Sequence, residues 1–211
     1  MNATDSGNAI RIDLMLIANM IAPRARVLDV GCGEGVLLEY LGAFKQVDGR
    51  GIELSMSGVR EAVRRGLSVI QGDADTDLKD YPSRSFDYVV LSQTLQATHN
   101  PRRVLENLLR IGTHAIVSFP NFAHWRNRLH LLMHGRMPVT DSLPHQWWDT
   151  PNIHFCTVRD FVILCAEMGI VIEQGVTLDR QGRVQKFSAI GARANALACH
   201  AVYRLRREEC P

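Results

Sequence analysis

The chain has 211 residues, of which 46% are apolar and 22% charged, and its formal net charge is +2. These values are typical of a globular protein, and a chain of this length can bury about 70% of its unfolded surface around one core. Basic and acidic residues are interspersed, so nucleic acid, which needs clustered cations to neutralise its phosphates, is not the expected partner.

Cysteine usage and the first apolar run indicate the compartment. The number of cysteines is odd and no two are spaced Cys-x-x-Cys, so neither a disulfide framework nor a zinc site is expected. The five are Cys32, Cys156, Cys165, Cys199 and Cys210. The apolar run at 14–22 is broken by Asn19 and follows charged residues, which fits neither a signal peptide nor a membrane span. We expect a cytoplasmic protein without a membrane partner.

Apolar runs alternate with helical patterns along most of the chain, which predicts a sheet covered by helices. In chain order, the predicted elements are helix 10–21, strand 26–30, helix 36–44, strand 49–54, helix 57–65, strand 67–71, strand 86–92, a helix between Asn100 and Gly112, strand 114–119, a helix between Thr157 and Gly169, strand 170–177 and strand 199–205. Turn-forming residues at 179–185 predict that the last two strands are antiparallel. The expected fold class is α/β, with a mostly parallel seven-stranded sheet and one antiparallel edge strand.

A glycine-rich loop, Gly31-Cys32-Gly33-Glu34-Gly35, follows the first predicted strand and precedes a helix. Glycine permits positive φ angles and lets a ligand approach the backbone closely. The N-terminus of the following helix favours an anionic group. The loop therefore predicts a site for a nucleotide-like ligand.

Spacing and charge distinguish two ligands for this loop. Dinucleotide loops place their third glycine one residue later, where this chain has Val36. The carboxylate of Asp29, just before the loop, would repel a pyrophosphate but could pair with an amino group. S-adenosylmethionine carries both an amino group and a carboxylate, so it is favoured over a nicotinamide dinucleotide.

Two further acids follow the next two predicted strands. Glu53 lies 24 residues after Asp29, close to the offset at which an acid accepts hydrogen bonds from a ribose. Asp73 ends the third strand, where a carboxylate can accept from the adenine amine. Each acid alone would be an ordinary strand-end or turn residue, but three at successive strand ends favour a binding site.

The stretches 27–35 and 86–90, together with Glu53 and Asp73, resemble the ordered motifs of class I S-adenosylmethionine-dependent methyltransferases. The resemblance covers residues 1–120 and implies a Rossmann-like three-layer fold. It also implies a site for S-adenosylmethionine or S-adenosylhomocysteine formed by Asp29, Gly31, Cys32, Gly33, Gly35, Glu53, Leu54, Asp73, Ala74 and Ser92.

The resemblance assigns parts of the ligand to these residues. Asp29, Gly31 and Gly33 would hold the methionine portion. Glu53 would hold the ribose and Asp73 the adenine amine, while Ser92 would lie near the sulfonium.

No acceptor for a methyl group can be assigned. Strand four is followed by Ser92-Gln93-Thr94-Leu95, and neither the Asn-Pro-Pro-Tyr signature of amino-methylating relatives nor the Pro-Cys of cytosine methylation is present. Gln93 and His99 could deprotonate an acceptor, but structural roles are expected for both. The catalytic residues therefore stay unknown.

Residues 120–155 hold all three tryptophans and five of the eight histidines, and they are too long and too aromatic for a simple connection. Trp125, Leu129, Leu132 and Met133 share one helical face. We expect that face to pack on the sheet, with a partner or substrate surface as the alternative. His130 and His134 have metal-ligand spacing but no third ligand on their face, so no metal is expected.

Several phrases spread over nearly the whole chain look like those of the MetW family of methionine biosynthesis proteins. They are 24–35, 117–122, 124–126, 137–140, 148–154 and 201–203. This resemblance implies one domain over 1–211, with 120–155 as an insertion after strand five. It also implies a role in methionine biosynthesis beside a partner, a homoserine O-acyltransferase. The alternative is a methyltransferase acting on a small molecule, and the motifs do not decide whether the protein is an enzyme.

Overall fold

A computed structural model of the chain describes residues 10–140 and 143–208. The helices in this part of the chain are α1 (Ile12–Met20), α2 (Val36–Lys45), α3 (Met56–Arg64), α4 (Pro101–Ile111), α5 (Trp125–His134), α6 (Val158–Glu167) and α7 (Ala192–Leu197). The strands are β1 (Arg26–Val30), β2 (Asp48–Glu53), β3 (Ser68–Gln71), β4 (Phe86–Ser92), β5 (Gly112–Pro120), β6 (Ile170–Leu178) and β7 (His200–Arg207).

The seven strands form one sheet in the order β3-β2-β1-β4-β5-β7-β6. Strands β1 to β5 are parallel where they pair, and β7 is antiparallel to both β5 and β6. The predicted α/β class and the antiparallel pairing of the last two strands are confirmed. The antiparallel strand lies one place in from the edge, and β6 is the edge strand.

The sheet is buried on both faces, as expected for parallel strands covered by helices. Along β4, Val89 and Leu91 belong to the larger core, whereas Val90 between them belongs to the core on the opposite face. The larger core also contains residues of α4 and α6, and the opposite one contains residues of α1 and α2.

Predicted helix starts are found with the expected caps. The Asn100 side chain accepts a hydrogen bond from the Arg103 N–H, and Pro101 occupies the first helical position of α4. The Thr157 side chain accepts from the Asp160 N–H at the start of α6. Among the described residues the longest helix, α4, has 11 residues, and no helix is long and apolar enough to span a membrane.

Helix α5 corrects one expectation. Its apolar face does not pack on the sheet: Leu132 is 83% exposed and Met133 is 70% exposed, while Asn127 is the residue of the helix that is buried. Within the described residues, this apolar face is therefore left in contact with solvent.

Asn121, immediately after β5, holds the surrounding segments together. Its buried side-chain amide donates to the carbonyl oxygens of Asn195 at 3.0 Å and Ala198 at 2.8 Å. Its side-chain oxygen accepts from the N–H groups of Ala123 and Val158, both at 3.2 Å. One side chain thus links β5 to the starts of α5 and α6 and to the end of α7.

Replacing this side chain should therefore be costly. We expect Asn121→Ala to lower the free energy of unfolding by about 3 kcal/mol, because several buried backbone groups lose their partners together. Urea denaturation measures the change. Asn195→Ala is the control, since it removes one exposed hydrogen bond to the Arg159 N–H and should cost about 1 kcal/mol or less. Equal losses in the two variants would contradict the role given to Asn121.

Candidate functional site

The carboxyl ends of β1, β2, β3 and β4 meet at one edge of the sheet, because these strands are parallel neighbours. The three acids predicted from the sequence lie at or just after the ends of three of these strands. Asp29 lies in β1 next to its end, Glu53 is the last residue of β2, and Asp73 lies two residues after β3. The topology therefore places all three along one edge.

Asp29 is the most perturbed of these acids. It is only 2% exposed, and within the described residues its buried Oδ1 has no hydrogen-bond partner. Burial, and then the nearby Glu53 charge, raise its pKa to about 7, although Arg11 acts in the opposite direction. A buried carboxylate without a partner is costly, so the position is suited to a cationic group supplied from outside the chain.

The glycine loop is held in a conformation that other residues rarely adopt. Gly31, Gly33 and Gly35 have φ angles of 72°, 55° and 81°. A Cβ on Gly31 would lie 2.5 Å from the Thr94 Oγ1, and one on Gly35 would collide with the Leu67 side chain. The N–H groups of Gly31 and Cys32 both donate to the Ile52 carbonyl, at 2.8 and 3.1 Å. The loop is therefore closely packed against β2 and the segment after β4.

Glu53 fastens the loop to the end of β2. Its Oε2 accepts from the Gly33 N–H at 2.8 Å and its Oε1 from the Ser55 N–H at 2.8 Å. A carboxylate oxygen can accept more than one hydrogen bond. Glu53 can therefore hold the loop and still accept from a ribose hydroxyl.

Cys32 contributes its backbone to the loop. A Cβ placed on Gly51 would lie 2.7 Å from the Cys32 Sγ, so this side chain packs over β2. Burial, followed by the charges of Asp29 and Glu53, raises the pKa of the thiol to about 12. Cys32 is therefore a neutral thiol rather than a nucleophile.

Leu54, Asp73 and Ala74 lie beside the ends of β2 and β3. Leu54 is an exposed apolar residue next to Glu53, and Ala74 packs against the larger core. The Asp73 Oδ1 accepts from the Asp75 N–H at 2.9 Å, which fixes the turn. Asp75 in turn accepts from the His99 and Asn100 N–H groups at 2.8 and 3.0 Å, which ties this turn to the start of α4.

Ser92 ends β4, and its Oγ lies 3.2 Å from the Ser118 Oγ of β5. The next residue, Gln93, has a positive φ of 52°. Its Nε2 donates to the Asp13 Oδ2 at 2.9 Å. The N-terminal helix is thereby fastened to the end of β4.

The structure adds three polar residues that the sequence did not single out. Asp13 is buried and pairs with Arg11 at 2.7 Å. His200 begins β7 at the same sheet edge, and its buried Nδ1 has no hydrogen-bond partner in the described part of the chain. Burial lowers the pKa of His200, with Asp13 raising it and Arg11 lowering it. In the sequence, the feature that could have indicated this group is the pair of charged residues Arg11 and Asp13 at the start of an apolar helix.

His130 and His134, which have metal-ligand spacing in the sequence, stack on each other with ring centroids 4.5 Å apart. Across residues 10–140 and 143–208, no group of three or more His, Cys, Asp or Glu side chains is arranged to hold a metal ion.

Comparisons of the sequence identify a family. A profile described as "Methionine biosynthesis protein MetW" matches residues 11–205. The bifunctional methionine biosynthesis protein MetXA/MetW of Rhodopirellula baltica is 34% identical over 186 residues, which cover 84% of this chain and 30% of that protein. The chain thus spans under a third of the length of that relative.

Comparisons of the structure identify the fold. A methyltransferase of Thermotoga maritima, described as S-adenosylmethionine-dependent and a possible histamine N-methyltransferase, has a TM-score of 0.66 and 18% identity, over 93% of this chain and 88% of that one. The [4+2]-cyclase SpnF also has a TM-score of 0.66 and 18% identity, over 93% of this chain and 81% of its own. The class I methyltransferase fold is shown, and SpnF is named for a different reaction.

The loop geometry predicts that Gly31→Ala destabilises the protein. A positive φ costs a residue with a Cβ about 1–2 kcal/mol, and the overlap with Thr94 adds to this. The double variant Gly31→Ala/Thr94→Ala should regain the stability lost to the steric overlap but not the stability lost to the positive φ. Thermal unfolding measures both.

The matched control is Gly42→Ala in α2, where a Cβ would meet nothing within 4 Å. There the same substitution should stabilise the helix by up to about 1 kcal/mol. A melting temperature for Gly31→Ala equal to that of the wild type would contradict the proposed constraint on the loop.

Proposed function

We start from the fact that this chain belongs to the MetW family of methionine biosynthesis proteins, and we propose that it binds S-adenosylmethionine and regulates a homoserine O-acyltransferase as its accessory partner. The observation that carries the ligand is the buried carboxyl group of Asp29 beside the glycine loop, whose Oδ1 has no hydrogen-bond partner within residues 10–140 and 143–208. The proposal treats 1–211 as one domain, with 120–155 as an insertion after β5, working in the cytoplasm.

The residues at the sheet edge fit the parts of this ligand. Asp29 would pair with the amino group, and the loop would leave room for the methionine portion at Gly33, where a Cβ would meet nothing within 4 Å. Glu53 would accept from the ribose while it keeps the Gly33 N–H. Leu54, Asp73 and Ala74 would border the adenine, and Ser92 the sulfonium. S-adenosylhomocysteine has the same groups except for the methylated sulfonium, so it would fit the same residues.

Asp29 should make ligand binding depend on pH. Its pKa of about 7 means that the carboxyl is mostly protonated at pH 6 and mostly ionised at pH 8. Only the ionised form pairs with an ammonium group, so affinity should fall as pH falls below 7. At pH 8 the carboxyl is already mostly ionised, so the affinity should level off there.

We therefore expect S-adenosylhomocysteine, a stable probe, to bind about tenfold more weakly at pH 6 than at pH 8. Isothermal titration calorimetry measures the dissociation constant. Asp29→Asn should bind more weakly at pH 7.5 and lose the dependence below pH 7. A wild-type affinity that is flat from pH 6 to 7.5 would remove Asp29 from the site.

The acyltransferase enters the proposal through the fused relative. That protein carries the name MetXA before MetW, and this chain corresponds to 30% of its length. A ligand can tune such a partner only if it binds the free and the associated states with different affinities. S-adenosylmethionine is made from methionine, so the proposed regulation would make acyltransferase activity depend on the supply of methionine, the end product.

Association is tested by co-expressing the tagged chain with the homoserine O-acyltransferase of the same organism. We expect the two to co-purify, and we expect added S-adenosylmethionine to change acyltransferase activity or the dissociation constant of the complex. The Asp29→Asn variant should associate but respond more weakly to the ligand, because it keeps the remaining surface. No association by the wild type would refute the accessory role.

A small-molecule methyltransferase is the second candidate, and His200 favours it. The imidazole of His200 is half-buried, and its buried Nδ1 has no hydrogen-bond partner in the described residues. It could accept a proton from the molecule that is to be methylated. When bound, S-adenosylmethionine supplies a methyl group on a sulfonium, and transfer can proceed largely through positioning. Formation of S-adenosylhomocysteine with a cell extract, detected by mass spectrometry, would support this candidate.

A further inference from the structure

Helix α5 presents an apolar face that the rest of the described chain leaves uncovered. Besides Leu132 and Met133, Trp125 is 44% exposed and Leu129 is 43% exposed. Positions 125, 129, 132 and 133 lie on one side of a helix. The α5 surface, defined here as these four residues, is a group of large apolar side chains in contact with solvent, and Trp147 and Trp148 later in the same insertion are exposed as well. Clusters of this kind mark sites of association, and tryptophan and methionine are enriched in them.

The first turn of α5 is firmly attached to the protein. Asn127 is buried, and its Nδ2 donates to the Phe122 carbonyl at 3.2 Å. The Arg128 Nε donates to the Ala123 carbonyl at 2.6 Å. The exposed residues are thus carried by a helix whose base is fixed, which lowers the entropy cost of binding a partner.

The segment that carries the two tryptophans is attached as well. Phe155 packs against Phe122 with ring centroids 4.1 Å apart. The Ile153 and His154 N–H groups both donate to the Gln96 carbonyl, at 2.8 and 2.9 Å. Gln96 in turn donates through its Nε2 to the Gln93 carbonyl at 2.7 Å, next to the candidate ligand site.

Charge distinguishes the possible occupants of the α5 surface. Residues 121–140 contain three arginines, Arg126, Arg128 and Arg136, and no acid. The Arg126 guanidinium lies 5.4 Å from the centroid of the Trp125 ring, so positive charge lies directly beside the apolar face. Two copies of this chain joined through this surface would bring like charges together. A different protein that has an apolar groove bordered by acidic residues would instead bring opposite charges together.

We propose that the α5 surface is the face through which this chain docks on its homoserine O-acyltransferase. This assignment rests on the proposed function, which supplies the partner. The fused relative supports a lasting association between the two portions, since a tether keeps them together. The hydrogen bonds from Ile153 and His154 to Gln96, and from Gln96 to Gln93, connect the same insertion to the edge of the candidate ligand site.

The assignment is tested with Leu132→Glu/Met133→Glu. Both side chains are exposed, so the fold should be unaffected, and the dissociation constant for the co-expressed acyltransferase should rise at least about tenfold, since buried apolar anchors dominate binding. Binding of S-adenosylhomocysteine should stay unchanged. The matched control is Val63→Glu/Ile163→Glu, which adds the same two charges at exposed apolar positions of α3 and α6 and should bind like the wild type.

Each outcome separates the two claims. If the wild type binds the acyltransferase and Leu132→Glu/Met133→Glu binds equally well, the docking surface is wrong and the accessory role stands. The same conclusion follows if both double variants lose affinity equally. If the wild type does not bind, the accessory role and this assignment fall together. If size-exclusion chromatography shows a wild-type dimer that only the α5 variant breaks, the occupant is a second copy and the assignment is overturned.

Discussion

The candidate site depends on one electrostatic constraint, the carboxyl group of Asp29 held almost without solvent at the end of β1. Its Oδ1 has no hydrogen-bond partner among the described residues, and burial raises its pKa to about 7. Folding leaves such a group in an unfavourable environment, which a cationic ligand would relieve. In the glycine loop after Asp29, the space where a Gly33 Cβ would lie is open, and Glu53 on the next strand fixes the loop at Gly33. These parts form one arrangement because parallel neighbours end side by side.

The fold of this protein does not by itself identify a reaction. The sheet order is that of the class I methyltransferases, yet the same fold belongs to a protein named for a cyclisation. The structure adds a polar group in which Arg11 and Gln93 both bind Asp13, and the charges of Asp13 and Arg11 act on His200. This group gives the second candidate function its chemical basis. The accessory role draws instead on the family and on the fused relative.

Features that depend on short stretches could be predicted from the sequence, whereas those that depend on distant contacts could not. The strands follow from apolar runs, and the caps at Asn100 and Thr157 from residue type. Helix α7, with six residues, is too short to show a helical period. The electrostatic effect of Asp13 on His200 involves two residues far apart in the sequence, so no local sequence pattern predicts it. The period of α5 indicated an apolar face, but a period cannot show whether the surface that covers the face belongs to the same chain.

The position of β7 has a consequence for how the chain folds during synthesis. Strand β7 leaves the ribosome after β5 and β6, yet it lies between them in the sheet. Until it arrives, β5 has one unpaired edge and β6 has no neighbour in the sheet. Unpaired edges are prone to join other chains, so the nascent protein passes through an aggregation-prone stage that ends only when residues 200–207 are inserted. The inserted strand completes two antiparallel ladders and contributes the core residues Ala201, Tyr203 and Leu205.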